Sequence, residues 1–71
     1  MAQFQNYYVN NNSQPTGEHE VHTDSCRFFD QIRSKQYLGT FVTCAEALRA
    51  ARNYYANVDG CQHCAPACHH R

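Results

Sequence analysis

Four soft metal ligands stand in two close pairs in a chain of 71 residues: His22 and Cys26 in the run HTDSC, Cys61 and Cys64 in the run GCQHCAP. Two short chelating loops brought together across a folded module are the usual way to surround a tetrahedral ion such as zinc with N and S donors. The spacing matters because of the chain's size. A chain this short buries only about 60% of the surface its unfolded form exposes. Leu, Ile and Val are scarce, so the apolar share leans on four Phe, five Tyr, several Ala and the cysteines themselves. A covalent or metal cross-link is the expected remedy.

Five cysteines make an odd number, which leaves at least one thiol outside any all-disulfide scheme. The opening MAQFQNYYVNNN has no basic segment followed by an apolar run and does not read as a signal peptide. A reducing cytoplasm, where thiols stay available to a metal, is the expected setting. No apolar stretch approaches the roughly 20 residues of a membrane span. Six basic and six acidic residues balance. Arg27, Arg33, Lys35, Arg49 and Arg52 are scattered and do not form the basic stripe that a dedicated nucleic-acid binder presents to phosphates.

Along the chain, FQNYYV (residues 4–9) is aromatic and β-branched and reads as a strand, followed by the turn-forming cluster NNNSQPTG. EHEVHT (18–23) alternates so that His19, Val21 and Thr23 face one way and Glu18, Glu20 and His22 the other. The run 27–36 reads as a helical turn or irregular loop that presents Phe28, Phe29 and Ile32 on one side. YLGTFV (37–42) is a third strand candidate, with Gly39 marking a bulge or a close backbone approach. Thr43 and Glu46 form the pattern of a capping box. A helix is expected from about Cys44 to Asn57, with Cys44, Ala47, Leu48, Ala51, Tyr55 and Val58 as its buried stripe. Asp59-Gly60 reads as its terminating turn, with Gly60 suited to a positive φ. The expectation is one α+β domain with an ordered core from about 6 to 68, a two- or three-stranded antiparallel sheet packed on one helix, and fraying ends.

Each candidate ligand has a plainer reading beside it. The CxxC of Cys61 and Cys64 is also a redox motif, but thioredoxin-type pairs open a helix, whereas this pair follows one. A lone His22 on a strand is ordinarily a hydrogen-bonded surface residue, and the pair His22 and Cys26 gains weight by completing the other half. A competing ligand set lies within the tail itself: Cys61, Cys64, Cys68 and His69. Cys44, on the apolar stripe, reads as a small core hydrophobe. Cys68 pairs with Cys44 under oxidation or approaches the metal. His19, His63, His69 and His70 read as surface residues. Cys26 with His22 matches a nucleophile and base only in residue type, and 71 residues rarely supply an oxyanion hole and cleft as well, so no enzyme is expected.

Taken in order, the aromatic strand with Tyr8 and Val9, HTDSC, then Phe41, Thr43 and Ala47 opening a helix, then CQHCAP with Pro66, resemble the N-terminal metal domain of Ada-type DNA repair proteins. The resemblance covers about residues 7–66 by order of motifs. It implies a small α+β fold with zinc held by His22, Cys26, Cys61 and Cys64. His22 stands where those proteins have a metal-bound cysteine, and Cys44, Cys68 and His69 have no place in their pattern. The chain is also similar to a group of short bacterial proteins carrying YYVNNN, HEVH, YLG and DGCxxCxxxCH segments. The function expected is that of a zinc-stabilised interaction module, monomeric, with a protein or nucleic-acid partner. The alternative is a thiol-reactive protein, a redox sensor or alkyl acceptor, using a cysteine of the same cluster.

Overall fold

The computed structural model describes residues 3–70. Among the described residues four strands, β1 (Gln5–Asn10), β2 (His19–Thr23), β3 (Lys35–Phe41) and β4 (Val58–Gly60), form one sheet in the order β3-β1-β2-β4, with one α-helix, α1 (Cys44–Ala51), between β3 and β4. β1 is antiparallel to both β2 and β3, whereas β4 runs parallel to β2. The sheet is therefore mixed and four-stranded, where a two- or three-stranded antiparallel one was expected. The fourth strand is the residues read as the end of the helix. Parallel strands need a crossover, and β3–α1–β4 supplies it by carrying the chain from one edge of the sheet to the other over β1 and β2.

The helix is shorter than its apolar stripe. It ends at Ala51, and the amides of Asn53 and Tyr54 turn back to the carbonyls of Ala50 and Ala51 at 3.1 and 2.9 Å. Beyond it the Tyr55 ring stacks on His19 at 3.6 Å and its hydroxyl donates to Asn11 at 2.7 Å. These contacts draw the chain off the helical path toward β2. The stripe nevertheless does its expected work. Cys44, Ala47, Leu48, Ala51, Tyr55 and Val58 all join the core formed with Tyr7, Val9 and Val21 from the sheet and with Cys68. Because successive side chains of a strand point to opposite faces, Tyr8 and His22, partners across β1 and β2, lie on the face away from the helix. There Tyr8 meets Phe29 and Tyr37, with ring centroids 5.0 and 5.1 Å apart.

Two local signals hold as read. Thr43 accepts from the Glu46 amide at 3.4 Å while Glu46 accepts from the Thr43 amide at 3.2 Å, a complete capping box. Thr43→Ala is expected to cost about 1 kcal/mol of stability, read as a lower urea midpoint at unchanged slope; an unmoved midpoint would show that the box carries no weight. Gly39 sits at φ +136° beside the register shift between Tyr7 and Tyr8, and a Cβ there would come within 3.0 Å of the Phe41 ring. The segment after β2 forms a short 3-10 turn, Phe29–Gln31, matching the helical-turn reading.

The ends are better tied than expected. Gln5 opens β1, the His70 amide donates to Asp59 Oδ1 at 2.8 Å, and His69 Nδ1 donates to the Gly60 carbonyl at 3.0 Å. Residues 1, 2 and 71, which share the expectation of fraying, lie outside the described residues. No helix among the described residues is long and apolar enough to cross a membrane.

Candidate metal centre

β2 ends in a turn. The Cys26 amide donates to the Thr23 carbonyl at 3.1 Å, which folds the Cys26 side chain back beside His22. From the other half of the chain, β4 pairs with β2, and the Cys61 amide extends that pairing with a bond to Val21 at 3.0 Å. The Ala65 amide then closes on the Cys61 carbonyl at 2.9 Å, so the residues between form a tight knuckle that turns Cys64 inward. The sequence separation between the two half-sites is bridged by three ladder residues of β4.

The result is that His22, Cys26, Cys61 and Cys64 present ligand atoms all within 4.8 Å of one another. Cys26 Sγ lies 3.7 Å from His22 Nδ1 and 3.9 Å from Cys61 Sγ, and Cys64 Sγ lies 3.9 Å from His22 Nδ1. A tetrahedral ion with bonds of about 2.3 Å to sulfur and about 2.0 Å to nitrogen requires edges of roughly 3.5–3.8 Å. The observed spacings are those of such a site, slightly opened. The four residues can hold a metal ion.

The surroundings suit metal-bound thiolates. The Thr23 amide points at Cys64 Sγ at 3.3 Å and the His63 amide at Cys61 Sγ at 3.4 Å, donors that favour negative sulfur. His22 turns Nδ1 to the cluster and Nε2 toward Glu20 Oε1 at 3.5 Å, the carboxylate–imidazole arrangement that orients a ligating histidine. Glu20 escaped notice as a functional residue. Its alternation with His22 was the available signal, since both fall on one face of β2.

Without a cation, Cys64 and His22 resist taking on charge. Burial pushes the Cys64 thiol up to about 12, and the neighbouring Cys26 and Cys61 add to this against the opposing Thr23 amide. Burial likewise holds the His22 imidazole below its usual range. Glu20 is raised, chiefly by burial and then by Asp59. The consequence for the chelated domain has a definite sign. Above pH 9, the ordinary thiol value, unfolded Cys64 sheds a proton that the folded state keeps up to about 12, so stability falls as pH rises. Below pH 6.5, unfolded His22 takes a proton that the folded state refuses, so stability falls as pH drops. The folded fraction of chelated protein, followed by far-ultraviolet circular dichroism at pH 5.5, 7.5 and 10, should peak at the middle value; a monotonic series would contradict this.

The remaining cysteines settle the competing ligand set. Cys44 and Cys68 form a disulfide, 24 residues apart in sequence, which leaves Cys26, Cys61 and Cys64 free. Cys44 does lie against the core, as expected of a small hydrophobe, but it is covalently joined there. The set drawn from Cys61, Cys64, Cys68 and His69 is not assembled. The His69 Nδ1 proton is directed to the Gly60 carbonyl, and although Asp59 Oδ2 lies 3.1 Å away, that oxygen is buried with no hydrogen bond among the described residues. Gly60 has no positive φ and serves another purpose than ending a helix. A Cβ there would meet the Ala65 carbonyl at 2.7 Å and Cys68 Cβ at 2.8 Å, so only glycine lets the knuckle fold back on β4. The chain matches no family model, no curated protein and no solved structure.

Proposed function

We propose that the protein is a small zinc-binding interaction module in which the ion has a structural role and catalysis plays no part. The convergence of four ligand atoms within 4.8 Å, drawn from both halves of the chain, carries this reading. Three thiolates and one imidazole in a tetrahedron favour zinc over harder cations, and four protein ligands fill the coordination sphere, as in structural rather than catalytic sites. The ion then contributes directly to folding. The order of its sequence motifs, which resembles that of Ada-type metal domains, agrees with this role. The module acts as a monomer through a protein or nucleic-acid partner. Native mass spectrometry tests the site: one zinc per chain is expected, and the same chain denatured and stripped of metal should be two mass units lighter than an all-thiol chain because of Cys44–Cys68. No bound metal, or a second disulfide within Cys26, Cys61 and Cys64, would refute it.

A thiol-reactive role is the second reading, favoured by one observation. Cys64 is only half-buried, whereas Cys26 and Cys61 are buried. It is the sulfur that an alkylating agent would reach while zinc stays in place. Selective modification of Cys64 in the zinc-loaded protein would support this reading, and uniform resistance of all three thiols would exclude it.

A further inference from the structure

Beside the ligand cluster a cleft of about 310 Å³ opens, with His22 and Cys61 in one wall and Glu20, Gln14, Gln31, Gln62 and Phe28 among its other lining residues. We infer that this cleft binds a small organic cation, an ammonium or guanidinium group carried on a short chain. The inference deepens the zinc reading and rests on it. A dication held by three thiolates and a neutral imidazole leaves a net charge of about −1 in the wall. Glu20 adds a carboxylate on the same side, 3.5 Å from His22 Nε2.

His63 also lines the cleft, edge-on to the Phe28 ring at 4.8 Å, but no Lys or Arg among the described residues does, so the only basic groups in the lining are imidazoles. Arg27 is engaged on the Phe28 ring, 5.2 Å from its centroid, which shows that ring to be a surface on which a cation settles. The carboxamides of Gln14, Gln31 and Gln62 offer both donors and acceptors around the opening. An anion would meet like charge here. The volume lies at the small end of the about 300–1,000 Å³ usual for ligand sites, enough for one side chain or a short diamine.

Chemical-shift titration of the zinc-loaded full chain tests this, with n-butylammonium, butane-1,4-diammonium and capped lysine as probes and butanoate as the counter-probe. The cationic probes should move the amides of Glu20, Phe28, Gln31 and Gln62, and butanoate should not. Gln31 lies on an exposed turn, so its charge can be changed without touching a ligand. Gln31→Glu should tighten binding of butylammonium at least threefold, and Gln31→Lys should weaken it at least fivefold, at unchanged zinc content. Stronger binding of the diamine than of capped lysine identifies a free polyamine as the source; the reverse identifies a peptide side chain. Equal responses to butylammonium and butanoate, or indifference to the charge at position 31, would overturn the inference. Zinc content measured on the same samples separates the two proposals: a metal-free chain refutes the zinc site and the cleft charge that rests on it, whereas a zinc-loaded chain indifferent to the charge at position 31 refutes the cleft alone.

Discussion

Cys26→Ser is expected to lose the metal and, with it, the ordered fold of the domain, and Cys61→Ser should do the same. Structural zinc sites in small domains supply about 10–16 kcal/mol of apparent binding free energy, much of it expressed as folding. One ligand in four represents about a quarter of that, or roughly two to three orders of magnitude in affinity. The two residues lie in different halves of the chain, Cys26 behind β2 and Cys61 behind β4, with their sulfurs 3.9 Å apart. Losing either one therefore disconnects the same two segments. The reporters are zinc stoichiometry and amide dispersion, measured together. A zinc-free variant that stays fully dispersed would mean that burial and the Cys44–Cys68 bond hold the fold, and that the ion is a passenger.

The second large effect concerns Cys44–Cys68. Reducing this bond frees a loop with a sequence separation of 24 residues, and the chain-entropy relation assigns such a loop about 3.5 kcal/mol. The bond also fastens the end of the metal knuckle. Cys68 packs where a Cβ on Gly60 would be, at the base of the loop that carries Cys61 and Cys64. Metal binding and the disulfide thus stabilise the same folded state, and each should strengthen the other's effect. When only the folded apo chain can bind, apparent affinity falls in proportion to its folded fraction. Zinc affinity by chelator competition should therefore drop at least tenfold on reduction, toward a limit of about 300-fold. The double variant Cys44→Ala, Cys68→Ala should reproduce the drop without any reductant. If oxidised, reduced and double-variant proteins bind zinc equally, the two cross-links are independent.

Much of the candidate site could be read from residue types and spacing. His22 and Cys26, and Cys61 and Cys64, are each close enough in sequence to chelate from one turn, and short spacing of that kind is visible in a string of letters. The capping box at Thr43 and the bulge at Gly39 were equally legible because both depend on residues a few positions apart. The helix was harder. Its apolar spacing runs on through Tyr55 and Val58, and both do reach the core, yet Tyr55 does so from beyond the helix and Val58 from a strand. Periodicity reports which side chains are buried and is blind to a change of backbone between them. Val58-Asp59-Gly60 resembles a helix end in isolation, and only its parallel partner, His19–Val21, makes it β4.

From its residues alone this chain was expected to carry a cross-link, and its soft ligands were marked in two chelating pairs with a capped helix between them. Those properties are local, fixed by side-chain chemistry and by neighbours a turn away. The tertiary structure decided how the five cysteines are divided. It placed Cys44 beside Cys68 across the core, and it brought Cys61 and Cys64 to His22 and Cys26 through a strand three residues long. A thiol carries no mark of its partner. Which sulfur meets which follows from the crossover that lays β4 along β2, and that crossover is a property of the whole packed sheet.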